Sequence, residues 1–456
     1  MRNRRVKRGA SRRATAAAVA LACAAACAAA GEMQIVRAID IARVWSAHPV
    51  GFCLRTCGRR QYAAFYDDER RMTVAARTIG RDEWQLVRLP ERLGWDSHNY
   101  VTLTADDEGH LHLSGNMHCH PLKYFRTARP WDVASFQRIK TMVGPNERRC
   151  TYPRFFRGPS DELIFTYRDG GSGNGNQIYN TYEPATKAWR RLLDGPLTDG
   201  QGRRNAYLHG PVRGPDGWWH LCWVWRETPD CRTNHDPSYA RSRDLVHWHT
   251  PAGKPVKLPM TLETPGLIVD PVPVGGGVIN GNVRLGFDAR KRAIVSYHKF
   301  DERGKTQLYN ARWEGGRWRI RRASDWDYRW DFHGGGAIPF GIRIGGVQVT
   351  PARTLVQSYR HPTAGSGSWL LDEATLKPTG PAPRGTGWPK KLARPESAFP
   401  GMQVRWARSS GRGGEAGVQY VLRWEALPPN RDRPRKPPLP APTMLRLYEL
   451  RTPAAP

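Results

Sequence analysis

Five of the chain's fourteen histidines fall within one stretch, WDSHNYVTLTADDEGHLHLSGNMHCH (95–120). Two of them stand near amides, as Ser97-His98-Asn99 and Asn116-Met117-His118, at the two outer ends of a hairpin pattern. Imidazole titrates close to neutrality, so two such rings facing one cleft are suited to proton transfer. A histidine that merely caps a turn is the plain structural alternative for each. Further along, FTYRDGGSGNGNQIYNTY (165–182) places Tyr167 and Arg168 before a glycine-rich loop that includes Asn174. Glycines at that density allow backbone to approach another group closely. With no Walker-type lysine and no helix to follow, the loop is not a phosphate cradle. Arg168 is suited to bidentate holding of a carboxylate. RRNAYLHG (203–210) adds Tyr207 and His209, and later segments offer Asn282, Tyr297, His298 and His333 as wall residues of the same cleft.

This set is rich in His, Tyr, Arg and Asn but lacks an evident pair of carboxylates, and that selects among reactions. A glycosidase of the usual kind needs two acids across the bond it cuts; Asp96, Asp169 and Glu227 occur without an evident pairing. Abstraction of the C5 proton of a uronic acid needs a carboxylate clamp, a base and an acid for the leaving O4 oxygen. Asn99 and Arg168 could clamp, while His98, His118 and Tyr167 or Tyr207 could move the protons. Neither a redox cofactor nor an obligatory metal enters that chemistry.

The elements that must position these residues are strands. Short acidic or glycine turns each launch an apolar run: DDEGHLHLSG (106–115), SDELIFTYRDG (160–170), PDGWWHLCWVW (215–225), DARKRAIVSYHKF (288–300) and RIGGVQVTPARTLVQSY (343–359). The aspartates at 107, 161, 216 and 288 mark the recurrence, and a tryptophan in a polar strand end trails most units. Runs of four to eight β-branched or aromatic residues between Gly/Pro/Asp clusters are strands, and helical periodicity is nearly absent. Units of about fifty residues predict an all-β fold: one β-propeller of seven four-stranded antiparallel blades. LPPNRDRPRKPPLPAP (427–442) cannot be core strand. TMLRLYELRT after it alternates well, and is expected to close the ring beside the N-terminal MQIVRAIDIARVW.

Residues 1–30 combine a basic start, an Ala-rich apolar stretch and an A-x-A site before Gly31, the pattern of a secretory signal. Residues 31–456 are then the exported propeller, periplasmic or extracellular, expected to be a monomer with no lipid anchor and no transmembrane span. The formal net charge is +30. An arginine-rich composition accounts for part of it, and a polyanionic partner is the functional explanation. Without a helix-turn-helix or an aromatic-basic strand motif, nucleic acid is not expected; an acidic polysaccharide suits export. Six cysteines follow the signal. Cys53 and Cys57 are close enough in sequence to pair. Cys222, Cys231 and His235, with His209 or His220, could hold a structural Zn2+; a disulfide or buried thiols would account for the same residues.

WDSHN, SGNMH, TYPRFF, FTYRDGGSGNGN, HLCWVWRETPDCRTNHD and SYHKFD together resemble the BNR-repeat-containing secreted family, which includes seven-bladed ulvan lyases and related uronate-cleaving polysaccharide lyases. The resemblance covers roughly residues 45–340 and weakens beyond. It implies β-elimination by a His/Tyr mechanism. His98 and His118 fall on the motif histidines, Asn99 on the carboxylate-side amide, and Tyr167 or Tyr207 on the tyrosine. Asn116, Asn174, His298 and His333 are expected along the substrate cleft. A non-catalytic glycan-binding propeller, or a hydrolase of rhamnosyl-uronate linkages on the same fold, are the alternatives.

Overall fold

The computed structural model describes residues 31–383 and 385–453. The secretory signal expected at 1–30 lies outside the described residues. No helix among them is long and apolar enough to cross a membrane. Apart from three single-turn 3-10 segments, every regular element is a strand.

Among the described residues, strand pairing resolves into seven four-stranded antiparallel units. Blade 1 runs from Cys53 to Arg92, blade 2 from Val101 to Ile139, blade 3 from Cys150 to Arg191 and blade 4 from Asn205 to His249. Blade 5 runs from Arg284 to Arg322, and blade 6 from Arg343 to Pro381 with its first strand broken in two. Blade 7 takes Gln403–Gly413, Val418–Ala426 and Thr443–Arg451, and the N-terminal strand Gln34–Val44 completes it by pairing with Thr443–Arg451. The first strands of blades 7 and 1 pair in parallel, so the last unit is joined to the first from both sides. A closed ring leaves few sheet edges open to association.

The blades stack through apolar faces. Residues alternate sides along a strand, so Trp223 and Trp225 of blade 4 point into one interblade layer with Leu221, while Cys222 and Val224 point into the next. Burial of each such aliphatic side chain contributes about 1.5–3 kcal/mol. The recurring turn aspartates have a structural basis. Asp106, one residue before the expected marker, accepts the backbone N–H of His110 and faces His112 Nε2 at 3.2 Å. Asp216 likewise faces His220 Nε2 at 2.9 Å, and Asp288 accepts from the backbone N–H groups of Arg290 and Arg292. Asp161 does not share this role; it is an exposed turn residue with φ near 63°.

Residues 427–442 form no strand. They leave blade 7 and reach the connection between blades 5 and 6, where the Arg431 N–H donates to Ala337 O at 2.9 Å and the Arg431 side chain to His333 O at 3.0 Å. A sequence segment that could only be classified as irregular therefore becomes a strap across one end of the ring.

Candidate active site at the channel mouth

The segment before blade 2 and the short strand His118–His120 after its second strand bring His98 and His118 together. Their rings stack with centroids 4.2 Å apart at 27°. Asp96 organises both: Oδ1 accepts from His98 Nδ1 at 2.7 Å and from the His98 backbone N–H at 2.9 Å. Its Oδ2 accepts from His118 Nδ1 at 2.5 Å. With both Nδ1 atoms engaged, Nε2 of each ring is left for other partners, and both histidines line a cavity of about 360 Å3.

A second carboxylate arrives from the strap. Asp432 Oδ2 lies 3.4 Å from His98 Nδ1, and Oδ1 lies 3.3 Å from His48 Nε2. Asp432 also accepts from Ser97 N–H and Oγ–H at 2.9 and 2.7 Å, and from Ala337 N–H at 2.7 Å. Burial disfavours charge on His98, but hydrogen bonds to Asp432 and Asp96 outweigh it and push the imidazole up to about 9. Burial likewise opposes ionisation of Asp96 and Asp432. Their histidine partners nevertheless hold both carboxyls well below the usual carboxylate range. At neutral pH, His98 is therefore an imidazolium seated between two carboxylates.

Opposite the histidines stands a pair of tyrosines. A register shift between Thr151 and Arg154 bulges the first strand of blade 3, and Tyr152 takes a φ of 59° there. A bulky residue in the left-handed region is a conformational outlier of the kind that accompanies functional sites. Its ring lies 5.8 Å from His98 and 6.2 Å from Tyr207. Burial raises the Tyr152 phenol far above its ordinary range, so it stays protonated. Tyr207 differs. Burial would raise it, but the Arg226 and Arg168 guanidinium groups and the Ser172 hydroxyl, 2.8 Å away, together lower its pKa. The guanidinium carbons of Arg226 and Arg168 lie 5.4 and 5.9 Å from its ring centroid.

The glycine-rich segment serves this arrangement. It is the turn of the hairpin between Leu163–Gly171 and Asn174–Glu183, which carries Ser172 to Tyr207. A Cβ on Gly175 would sit 2.8 Å from Arg168 Cδ and 2.6 Å from Asn205 Oδ1, so only glycine lets Arg168 lie where it does.

Of the expected residues, the structure gathers His98, His118 and Tyr207 around the mouth cavity, with Arg168 beneath them against Tyr207. Tyr167 is not part of it. Adjacent strand residues face opposite ways, so with Arg168 toward the channel Tyr167 is buried in the interblade core, accepting from Arg191 at 3.1 Å. Asn99 is buried outside the cavity lining, and its backbone carbonyl accepts from Tyr66. Asn116 donates to Glu91 and to Arg92 O, a structural bond in a turn with φ of 56°. Asn174 is exposed at its hairpin start and is not part of the cavity lining. His298 is enclosed by Trp330 and Phe332, where burial pushes it down to about 4. His333 is exposed and contributes its backbone carbonyl to Arg431.

The expected zinc ligands do not converge. His209 and Cys222 are directly paired across adjacent strands, but Cys222 is sealed in one apolar cluster and Cys231 in another. His235 is bound on both sides, by Glu227 at 2.8 Å and Asp236 at 2.9 Å. His220 bonds Tyr239 and Asp216 instead. All six cysteines among the described residues are free thiols, Cys53 and Cys57 included. Among those residues, the group whose ligand atoms come within metal-binding distance of one another is Asp96, His98 and His118. A cation there would have to replace both imidazole-to-carboxylate hydrogen bonds, so the cluster is better matched to proton handling. The members sequence reasoning missed are Tyr152, Arg226 and Asp432, with Asp96 in an orienting role.

The fold and this constellation define a β-propeller with histidines, tyrosines and arginines gathered at one cavity. The sequence profile described as "BNR repeat-containing family member" matches residues 60–326, and the chain belongs to that family. No curated protein matches it by sequence. By structure it is similar to the protein solved as "a new family of Polysaccharide lyase PL25-Ulvanlyase", with a TM-score of 0.59 and 13% identity over 91% of this chain and 96% of that one. It is similar to polysaccharide lyase Uly1, with a TM-score of 0.59 and 12% identity over 92% and 100% of the two chains. The form of the first lyase bound to -[GlcA(1-4)Rha3S]- gives a TM-score of 0.56 at 13% identity, over 91% of this chain and 96% of that one.

Proposed function

We propose that the protein is an exported polysaccharide lyase that cleaves a uronate-containing anionic glycan by β-elimination at the channel mouth. The single observation that carries this reading is Tyr207, a phenol lowered by two guanidinium groups across one cavity from a carboxylate-held imidazolium. A uronate whose carboxylate meets Arg226 and the His98 imidazolium loses charge there, and its C5 proton becomes more acidic. Tyr207 Oη, in its phenolate form, takes that proton and becomes the neutral phenol. The electron pair left on C5 forms the C4=C5 double bond as the C4–O4 bond breaks. The histidine pair delivers a proton to the departing O4. Atoms and charge balance without water or a redox partner.

Similarity to ulvan lyases supports a uronate substrate, and the +30 charge agrees with an anionic polymer. The two carboxylates that face the cavity's histidines favour elimination over hydrolysis. Asp96 and Asp432 are both committed to imidazoles and held ionised, so neither is a protonated acid facing a glycosidic bond. Among the expected proton carriers, Tyr207 takes the part of base and the histidine pair that of acid; Tyr167 has no part, and Arg226 stands in place of Asn99 in the clamp. Incubation with uronic-acid polysaccharides is expected to raise the absorbance of unsaturated uronates, and both Tyr207→Phe and His98→Ala should abolish the rise. An unchanged rate in either variant removes that residue from the mechanism. Retention on an acidic glycan column without any product would instead support a binding propeller.

A further inference from the structure

Consecutive turns of an antiparallel blade leave on alternate faces of the ring. The mouth is built on one face, by Ser172 and the strap, which join second strands to third. The opposite face carries the turns that join first strands to second and third to fourth. Three of these, at 214–218 of blade 4 and at 288–292 and 313–318 of blade 5, border a cleft of about 330 Å3. It widens past Pro251 and Trp313 into a groove of about 1040 Å3, walled by Pro255, Pro259 and Pro265. Neither hollow shares a residue with the mouth cavity.

Arg241, Arg290 and Lys291 line the cleft, and Lys254 and Lys257 the groove. Among the described residues, no carboxylate pairs with any of them. Arg292, also in the cleft, is committed to Asp288 at 2.7 Å. The acids at hand are likewise taken: Asp216 faces His220 Nε2 at 2.9 Å, and Glu263 faces Arg204 at 3.0 Å. Arg241 is positioned by an aromatic face instead of an acid. Its guanidinium carbon lies 4.5 Å from the Trp218 ring centroid, and that of Arg243 lies 4.4 Å from the same ring. A ring quadrupole holds a cation in place without cancelling its charge. Trp313 and Trp318, in edge contact with centroids 5.7 Å apart, complete the cleft.

Like charges gathered on one surface repel, and a polyanion laid along them relieves that repulsion. The cations are spread along the hollow and do not converge on a point, which suits a chain of charges better than one small ion. Indole and proline rings offer flat apolar surfaces to the C–H faces of sugar rings, leaving the acidic groups of the sugars to the cations. We propose that this groove is a second, non-catalytic site for an anionic polysaccharide, holding one stretch of a chain while another stretch lies at the mouth. The inference rests on the reading of the protein as one that acts on such a glycan. Two attachments to one polymer raise its effective concentration, so the gain belongs to chains long enough to reach both sites.

Calorimetric titration with heparin, a sulfated uronate polymer, tests this in a Tyr207→Phe background that keeps the chain whole. Arg290→Gln combined with Lys291→Gln, at two exposed turn residues, should weaken heparin by about fivefold or more. The same charge removed by Lys390→Gln with Arg412→Gln, exposed and outside the groove, should leave the affinity unchanged. Wild-type affinity in the groove variant, an equal loss in the control, or an equal loss for single-stranded DNA of matched charge overturns the proposal. Groove-dependent binding with no glycan cut by the wild-type chain would remove the lyase reading alone. Cutting of a glycan with groove-independent binding would remove the groove alone.

Discussion

Two kinds of histidine–aspartate network in this molecule use the same residue types to opposite ends. Where blade 3 packs on blade 2, Trp189 N–H of blade 3 donates to Tyr124 Oη at 3.1 Å, and Tyr124 bonds His112 Nδ1 at 2.7 Å. His112 Nε2–H then faces Asp106 at 3.2 Å. Blade 4 repeats the pattern through Tyr239, His220 and Asp216. Each ring there accepts on one nitrogen and donates on the other, which is the neutral tautomer fully satisfied. Burial, the largest influence, lowers both His112 and His220 despite their aspartates. At the mouth, the arrangement is reversed. No hydroxyl donates to His98; two carboxylates face one nitrogen and raise the ring, and the other nitrogen is left free. The difference lies in what meets the second nitrogen, and it separates a scaffold histidine from a reactive one.

The comparison breaks first if the mouth is not the reactive side. Tyr207→Phe should lower the turnover of elimination by about 10²–10⁴-fold, measured as initial rate of unsaturated product, with the melting temperature retained. Asp106→Asn should do the reverse. It disrupts a buried hydrogen-bonded network at a cost of about 1–3 kcal/mol, read as a lower denaturant midpoint, while activity per folded molecule stays unchanged.

Proton linkage sharpens the contrast. His98 has its pKa raised to about 9, so its contribution to stability is present below the unfolded value and lost as pH climbs through 9. His112 and His220 have lowered pKa values, so their contribution is present above the unfolded value and lost as pH falls below it. Denaturant melts from pH 5 to 10 should show the alkaline loss diminished in His98→Gln and the acidic loss diminished in His112→Gln. The smallest effect is expected from Asp432→Asn. With one of two carboxylates gone, the His98 pKa falls, and the alkaline limb of the rate profile should move down by about one unit. If Asp432 served only the strap, stability would change and that limb would not.

The strands and their turns were legible because burial imposes alternation and turns demand Asp and Gly, so the blades, the closing strand and the histidine pair could be read locally. Tyr207 was legible for the same reason, whereas His209, two along on the same face, was expected to hold zinc with partners that lie in different interblade clusters. By the same rule, Tyr167 and Arg168 could not both have faced the cleft. Tyr152 was hidden because its side chain enters the channel through a bulge and a positive φ, neither of which its sequence neighbourhood signals. Asp432 was hidden by distance. It reaches Ser97 across 335 residues of chain, from a proline-rich segment whose composition specifies only that it is not a strand. Cys222 and Cys231 looked like ligands because spacing says nothing of which side of a blade each residue lines.

The account rests on the mouth cavity breaking a glycosidic bond without water. Mass spectrometry of the fragments released from a uronic-acid polysaccharide tests this most directly. The account predicts a new end lighter by one water than a hydrolytic fragment, absent with Tyr207→Phe. Fragments carrying the added water, or unsaturated ends formed equally by Tyr207→Phe, would contradict it.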